Sequence, residues 1–109
     1  MPHNCERIIS PIKDIDFAIS VYGDSMAPEY PSGSKVLIKK INPEIFIEWG
    51  KTFVLDTSNG VIIKEIHYCE REGYITCHSI NNDPKYKDFD IPLSEIYGMY
   101  RVLMVLTAK

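Results

Sequence analysis

Residues 52–68, TFVLDTSNGVIIKEIHY, decide the fold. Two runs of aliphatic, branched and aromatic residues flank Asn59-Gly60, a dipeptide that tolerates the positive backbone angles of a tight hairpin turn. The stretch reads as an antiparallel hairpin. Partners in a regular antiparallel pair keep a constant index sum, so a turn centred on Asn59-Gly60 sets Ser58 opposite Val61, Thr57 opposite Ile62, Leu55 opposite Lys64 and Phe53 opposite Ile66. Lys64 then stands in an otherwise apolar row.

Outward from the hairpin, FAISVY (17–22) alternates, and KVLIKK (35–40) is a short apolar run with charged flanks; both read as strands. GYITCHSI (73–80) reads as another. In the tail, IYGMYRVLMVL (96–106), periodicity alone allows a strand or a buried helix, but the branched and aromatic content with Gly98 inside it favours a long strand. INPEIFIEWG (41–50) is expected to hold one helical turn after Asn42 and Pro43, since Asn suits a cap and Pro the first helical position. NNDPKYKDFD (81–90) reads as a turn-rich loop. The expected architecture is mostly β: a bent, partly barrel-like assembly of short strands with little helix. Residues 1–16 lead into a single domain spanning 17–109.

A chain of 109 residues with 45% hydrophobic content fills one core. Its formal net charge of -3 provides no overall attraction to phosphate, so this domain is not expected to be a DNA reader itself. Cys5, Cys69 and Cys77 form an odd set without CxxC spacing, which signals neither a disulfide framework nor a zinc site and suits a reducing cytoplasm. No stretch is long and apolar enough to span a membrane, and no export signal is recognised.

The chemistry converges on VYGDSMAPEY (21–30), where a serine follows Gly-Asp at the end of a strand. A serine hydroxyl needs a base within hydrogen-bond reach and donors for the developing oxyanion. Gly23 permits an unusual backbone angle, and a strand-ending turn can aim consecutive N–H groups at one point. Alternatively, Gly-Asp-Ser is ordinary turn chemistry, with Asp24 capping Met26 or Ala27.

Of the three histidines, His3 lies in the terminal segment, His67 points away from Lys64 by hairpin parity, and His78 has no carboxylate placed by sequence to orient it. Lys64 is the better base. Burial among Phe53, Leu55, Ile62 and Ile66 disfavours its charged form, and a neutral amine can accept a proton. The alternative is an edge lysine whose stem packs while its head reaches water. Tyr22, Tyr30 and Trp49 read as packing residues, because no basic patch accompanies them.

The order of GDSMAPEYPSGSKVLI, an Asn-Gly hairpin ending in VIIKEI, HSINNDPKY and EIYGMYRVLMVL resembles the LexA-like serine peptidase domains at the C-terminus of SOS and prophage repressors. The likeness runs from about Phe17 to Leu106. It implies that Ser25 is the nucleophile of a G-x-S-M motif and Lys64 the general base. It also implies that the backbone N–H groups of Asp24 and Ser25 form the oxyanion hole, with no metal or cofactor. Such domains cut a bond of their own chain, typically Ala-Gly, ahead of the domain. They commonly pair as homodimers through the C-terminal strand, respond to a RecA filament, and reach operator DNA through a separate N-terminal helix-turn-helix.

Two departures stand out. Gly33-Ser34 replaces the family's Gly-Asp, which bears on a loop contact more than on the dyad. No Ala-Gly bond precedes Ser25, and residues 17–19 sit on the strand entering the serine, too close to fold back. The scissile segment then lies outside this sequence, or was already removed, or self-cleavage does not occur. A non-catalytic dimerisation or ligand-sensing module and a UmuD-like mutagenesis subunit are the competing readings.

Overall fold

The computed structural model describes residues 5–6 and 16–107. Its strands are β1 (Cys5–Glu6), β2 (Phe17–Ser20), β3 (Lys35–Ile41), β4 (Lys51–Thr57), β5 (Gly60–Tyr68), β6 (Tyr74–His78), β7 (Phe89–Pro92) and β8 (Ile96–Leu106). They form one eight-stranded sheet in the order β1-β2-β3-β8-β4-β5-β6-β7. All neighbours are antiparallel. Among the described residues no helix is long and apolar enough to cross a membrane, and one 3-10 turn, Leu93–Glu95, is the sole helical element.

Apolar residues on both faces of β4 and β8 give the sheet two cores. Val54 and Tyr100, opposite one another, pack with Ile19, Val21, Val36 and Ile38 on one side. Phe53, Leu55 and Met99 join Ile66, Ile75 and Cys77 on the other. Strands buried on both faces read as continuous hydrophobic runs, which explains why the tail's periodicity was ambiguous between strand and helix. Two register shifts, at Leu37/Ile38 against β8 and at Asp56/Thr57 against β8, interrupt the ladders of this long strand. Bulges of this kind bend a strand and increase its twist.

The hairpin forms, but its register differs from the expected one. Thr57 pairs with Gly60, so Ser58 and Asn59 form the turn, Leu55 faces Ile62 and Phe53 faces Lys64. Thr57 accounts for this: its hydroxyl donates to the Gly60 carbonyl at 2.6 Å and accepts the Asn59 N–H at 3.2 Å, closing the loop one residue earlier. Gly60, at φ 108°, supplies the positive angle from the closing position. The offset is two in the index sum, an even number, so every side chain keeps its predicted face.

Other elements also depart from expectation. Residues 42–45 make a hydrogen-bonded turn, not a helix: the Asn42 side chain accepts the Glu44 N–H at 3.0 Å and its carbonyl the Ile45 N–H at 3.2 Å. The turn-rich loop ends sooner than read, because Phe89 and Asp90 begin edge strand β7 against β6. The Thr76 hydroxyl holds the Asp90 carboxylate at 2.7 Å there, making a strand position of a residue type usually depleted from strands.

Candidate active site

The loop carrying Ser25 is closed at its base by two backbone bonds, from Val21 N–H to the Ser34 carbonyl at 2.8 Å and from Gly33 N–H to the Val21 carbonyl at 2.9 Å. Inside it, the Asp24 carbonyl accepts the Ala27 N–H at 3.1 Å and the Met26 carbonyl the Tyr30 N–H at 2.9 Å. Met26, 2% exposed, anchors the turn in the interior. Gly23 turns the chain out of β2 at φ 80°, a conformation that a side chain would strain. Ser34, where the family commonly has Asp, is buried and donates its hydroxyl to the Pro31 carbonyl, a contact that stays within the loop.

Lys64 rises from β5 between Ile62 and Ile66. Strand β6 pairs with β5 only from Glu65 onward, so residues 60–64 have β4 on one edge and no partner among the described strands on the other. That open edge forms one wall of a cleft of about 230 Å³, lined by residues 61–64 and by residues 19–23, Ser25 and Met26. Across it, Lys64 Nζ lies 2.8 Å from Ser25 Oγ.

Burial lowers the Lys64 pKa from its ordinary value, against a smaller opposing influence from Cys77. Cys77 is fully buried, and desolvation pushes its thiol up to about 11. The thiol therefore stays neutral at physiological pH and leaves Lys64 without a counter-ion there. A charged ammonium donates to Ser25 Oγ; once it loses a proton, the same contact lets the hydroxyl donate to Nζ.

The structure thus brings Ser25 and Lys64 together and sets Asp24 beside them. Among the described residues, neither the Asp24 nor the Ser25 backbone N–H has a protein acceptor, whereas both carbonyls are engaged by Asn81. No side-chain cap by Asp24 is formed among these residues; its carbonyl makes the turn bond instead.

His67 and His78 lie on the other side of the sheet: His67 meets Glu65 at 2.6 Å, and the two rings are edge to face with centroids 5.8 Å apart. His78 does have a carboxylate, Asp88 at 2.7 Å, which the sequence reading missed because it sits in the following loop. His3 falls outside the described residues.

Tyr22 is no packing residue. It is 73% exposed and lines the cleft. Trp49 is 44% exposed and edge to face with Tyr68 at 5.7 Å, while Tyr30 packs on the first core as expected. Cys77 and Asn81 escaped the sequence reading of the site. The alternation of YITCH with the hairpin row carried the signal for Cys77, whereas Asn81 had none beyond lying in the loop after β6.

The antiparallel sheet thus holds a serine hydroxyl against a half-buried lysine amine. The family model described as Peptidase S24-like matches residues 5–101, and the chain belongs to this LexA-like serine peptidase family. Comparisons with curated proteins and with solved structures found no match.

Proposed function

We propose that this is the C-terminal regulatory domain of a prophage or SOS-type transcriptional repressor, and that Ser25 and Lys64 cut a peptide bond in a segment preceding the domain. The observation that carries the reading is the 2.8 Å contact between Lys64 Nζ and Ser25 Oγ, both lining an open cleft. Neutral Lys64 removes the Ser25 proton, and the oxygen attacks the scissile carbonyl. The Asp24 and Ser25 N–H groups receive the oxyanion. As the tetrahedral species collapses, the Lys64 ammonium protonates the leaving amine, and water then hydrolyses the acyl-serine with Lys64 again as base. An intramolecular substrate has a high effective molarity, so a modest dyad suffices.

Cleavage would separate an N-terminal operator-binding helix-turn-helix from a dimerising domain. The acidic net charge of -3 supports leaving DNA contact to another part of the protein. A RecA filament would act as inducer by binding preferentially to the form with the scissile segment docked. Homodimerisation through β8 is supported by its end: beyond Arg101 it pairs with β3 alone among the described strands, and Leu103, Met104 and Leu106 are exposed.

The test is a chain carrying its upstream segment, incubated at alkaline pH. Wild type is expected to cut itself, and Ser25→Ala and Lys64→Ala to remain intact. Undiminished cleavage in both variants overturns the dyad.

A further inference from the structure

We propose that Asn81 is a positioning residue for the oxyanion site: it sets the direction of the Ser25 N–H. The inference rests on the Ser-Lys reading above. Asn81 sits in the loop after β6, distant in sequence from the serine turn, yet its Nδ2 donates to the Asp24 carbonyl at 2.8 Å and its backbone N–H to the Ser25 carbonyl at 3.0 Å. Two consecutive peptide groups are thus held by one residue.

The Asp24 carbonyl and the Ser25 N–H belong to the same planar peptide. Among the described residues the only cis bond is Ala27-Pro28, so this peptide is trans and its N–H points opposite to its carbonyl. Holding the oxygen therefore aims the N–H. The Ala27 N–H, at 3.1 Å, occupies the same oxygen from within the turn, and the two donors together fix the peptide plane. The bond to the Ser25 carbonyl fixes the following peptide, so the Cα that carries Oγ is framed on both sides.

Asn81 is itself oriented, because its Oδ1 accepts the Asp83 N–H at 2.9 Å. That contact directs Nδ2 toward Asp24 and determines the amide assignment. Aspartate at this position would retain the Asp83 contact and lack the donor.

The experiment uses the 109-residue chain and a fluorophosphonate probe. Ser25 Oγ forms a bond to phosphorus, the P–F bond breaks, fluoride leaves, and Lys64 takes the serine proton. Labelling rates are read by intact mass from neutral pH up to 10.5, the ordinary lysine value. Asn81→Ala is expected to lower the plateau rate by about tenfold or more, as misplacement of catalytic groups does, with the midpoint of the pH profile unmoved, and Asn81→Asp to lower the plateau likewise while its added carboxylate raises the midpoint. Thermal melting confirms that each variant is folded, and Asn81→Asp keeps the loop turn should alanine loosen it. A plateau equal to wild type in a folded variant overturns the proposal. So does a shifted midpoint with an unchanged plateau, which would place the effect on Lys64. Wild-type labelling no faster than Ser25→Ala sinks the Ser-Lys reading itself, and Asn81 with it.

Discussion

Lys64 Nζ lies 2.8 Å from Ser25 Oγ across 39 positions of sequence. The contact requires two local structures at once. The hairpin must turn Lys64 to the face that carries Phe53, Ile62 and Ile66, and the loop after β2 must lift Ser25 to the open edge of β5. The amine is thereby drawn from water without gaining a carboxylate among the described residues, and its pKa falls.

Activity should follow the neutral fraction of Lys64. Because burial depresses its pKa below 10.5, that fraction grows as pH rises through the lowered value and then levels off. Ser25 modification or self-cleavage should therefore rise with pH to a plateau. Lys64→Arg, which stays charged, should lose about 10²- to 10⁴-fold, the usual contribution of a general base. A pH series of single-turnover rates checks both; a rate that falls as pH rises toward the plateau would contradict the assignment.

The same amine should cost stability at neutral pH. Its folded-state pKa lies below its unfolded one, so between the two values the unfolded chain binds more protons and stability rises with pH. The penalty is complete below the folded value and is relieved as pH climbs toward 10.5. Lys64→Met, similar in length and uncharged, should melt higher than wild type at pH 7, with the advantage shrinking toward alkaline pH. Melting curves over that range test the sign. The half-buried position keeps the effect modest.

Faces were legible in the sequence and register was not. Lys64 falls in its apolar row under either hairpin register because the two differ by an even number, and period-two alternation is insensitive to that error. Where the turn closes depended on the Thr57 hydroxyl, a side-chain contact that no dipeptide preference encodes. The serine loop was legible as a loop around Gly23 and Pro28, whereas the hold of Asn81 on Asp24 spans 57 positions and is a tertiary fact. Strand β7 was hidden because its pairing is supported by Asp90, an uncommon strand residue.

Gly60 should be intolerant of a side chain for backbone reasons alone. At φ 108° an added Cβ meets nothing within 4 Å, so no clash contributes. Gly60→Ala should destabilise by about 1–2 kcal/mol, the cost of a positive angle for an L-residue. Chemical denaturation measures it, and a neutral result would place the closing pair elsewhere.

Cysteine chemistry should separate the two described thiols. Cys77 is fully buried with its pKa pushed up to about 11, and Cys69 is half-buried. Thiolate is the reactive form, so iodoacetamide at neutral pH should modify Cys69 and spare Cys77 until the chain is unfolded. Peptide mass mapping reads the order; early modification of Cys77 would show that the wall beside Lys64 opens readily.

The end of β8 is the surface proposed to meet a second copy. Past Arg101 the strand keeps β3 on one edge, while no described strand pairs with the other, and Leu103, Met104 and Leu106 are 44%, 45% and 49% exposed. An open strand edge with apolar side chains is a template for pairing unless something covers it, and a two-fold related β8 would satisfy both hydrogen bonds and apolar surface. Sedimentation equilibrium should show a concentration-dependent dimer. Leu103→Glu, which puts a charge into that contact, should weaken it by roughly tenfold or more, equivalent to about 1.4 kcal/mol. Ile45→Glu, on the exposed loop after β3, is the control and should leave the equilibrium unchanged. A monomer at every concentration, or equal effects of the two substitutions, would exclude β8 as the interface and leave that edge to another partner.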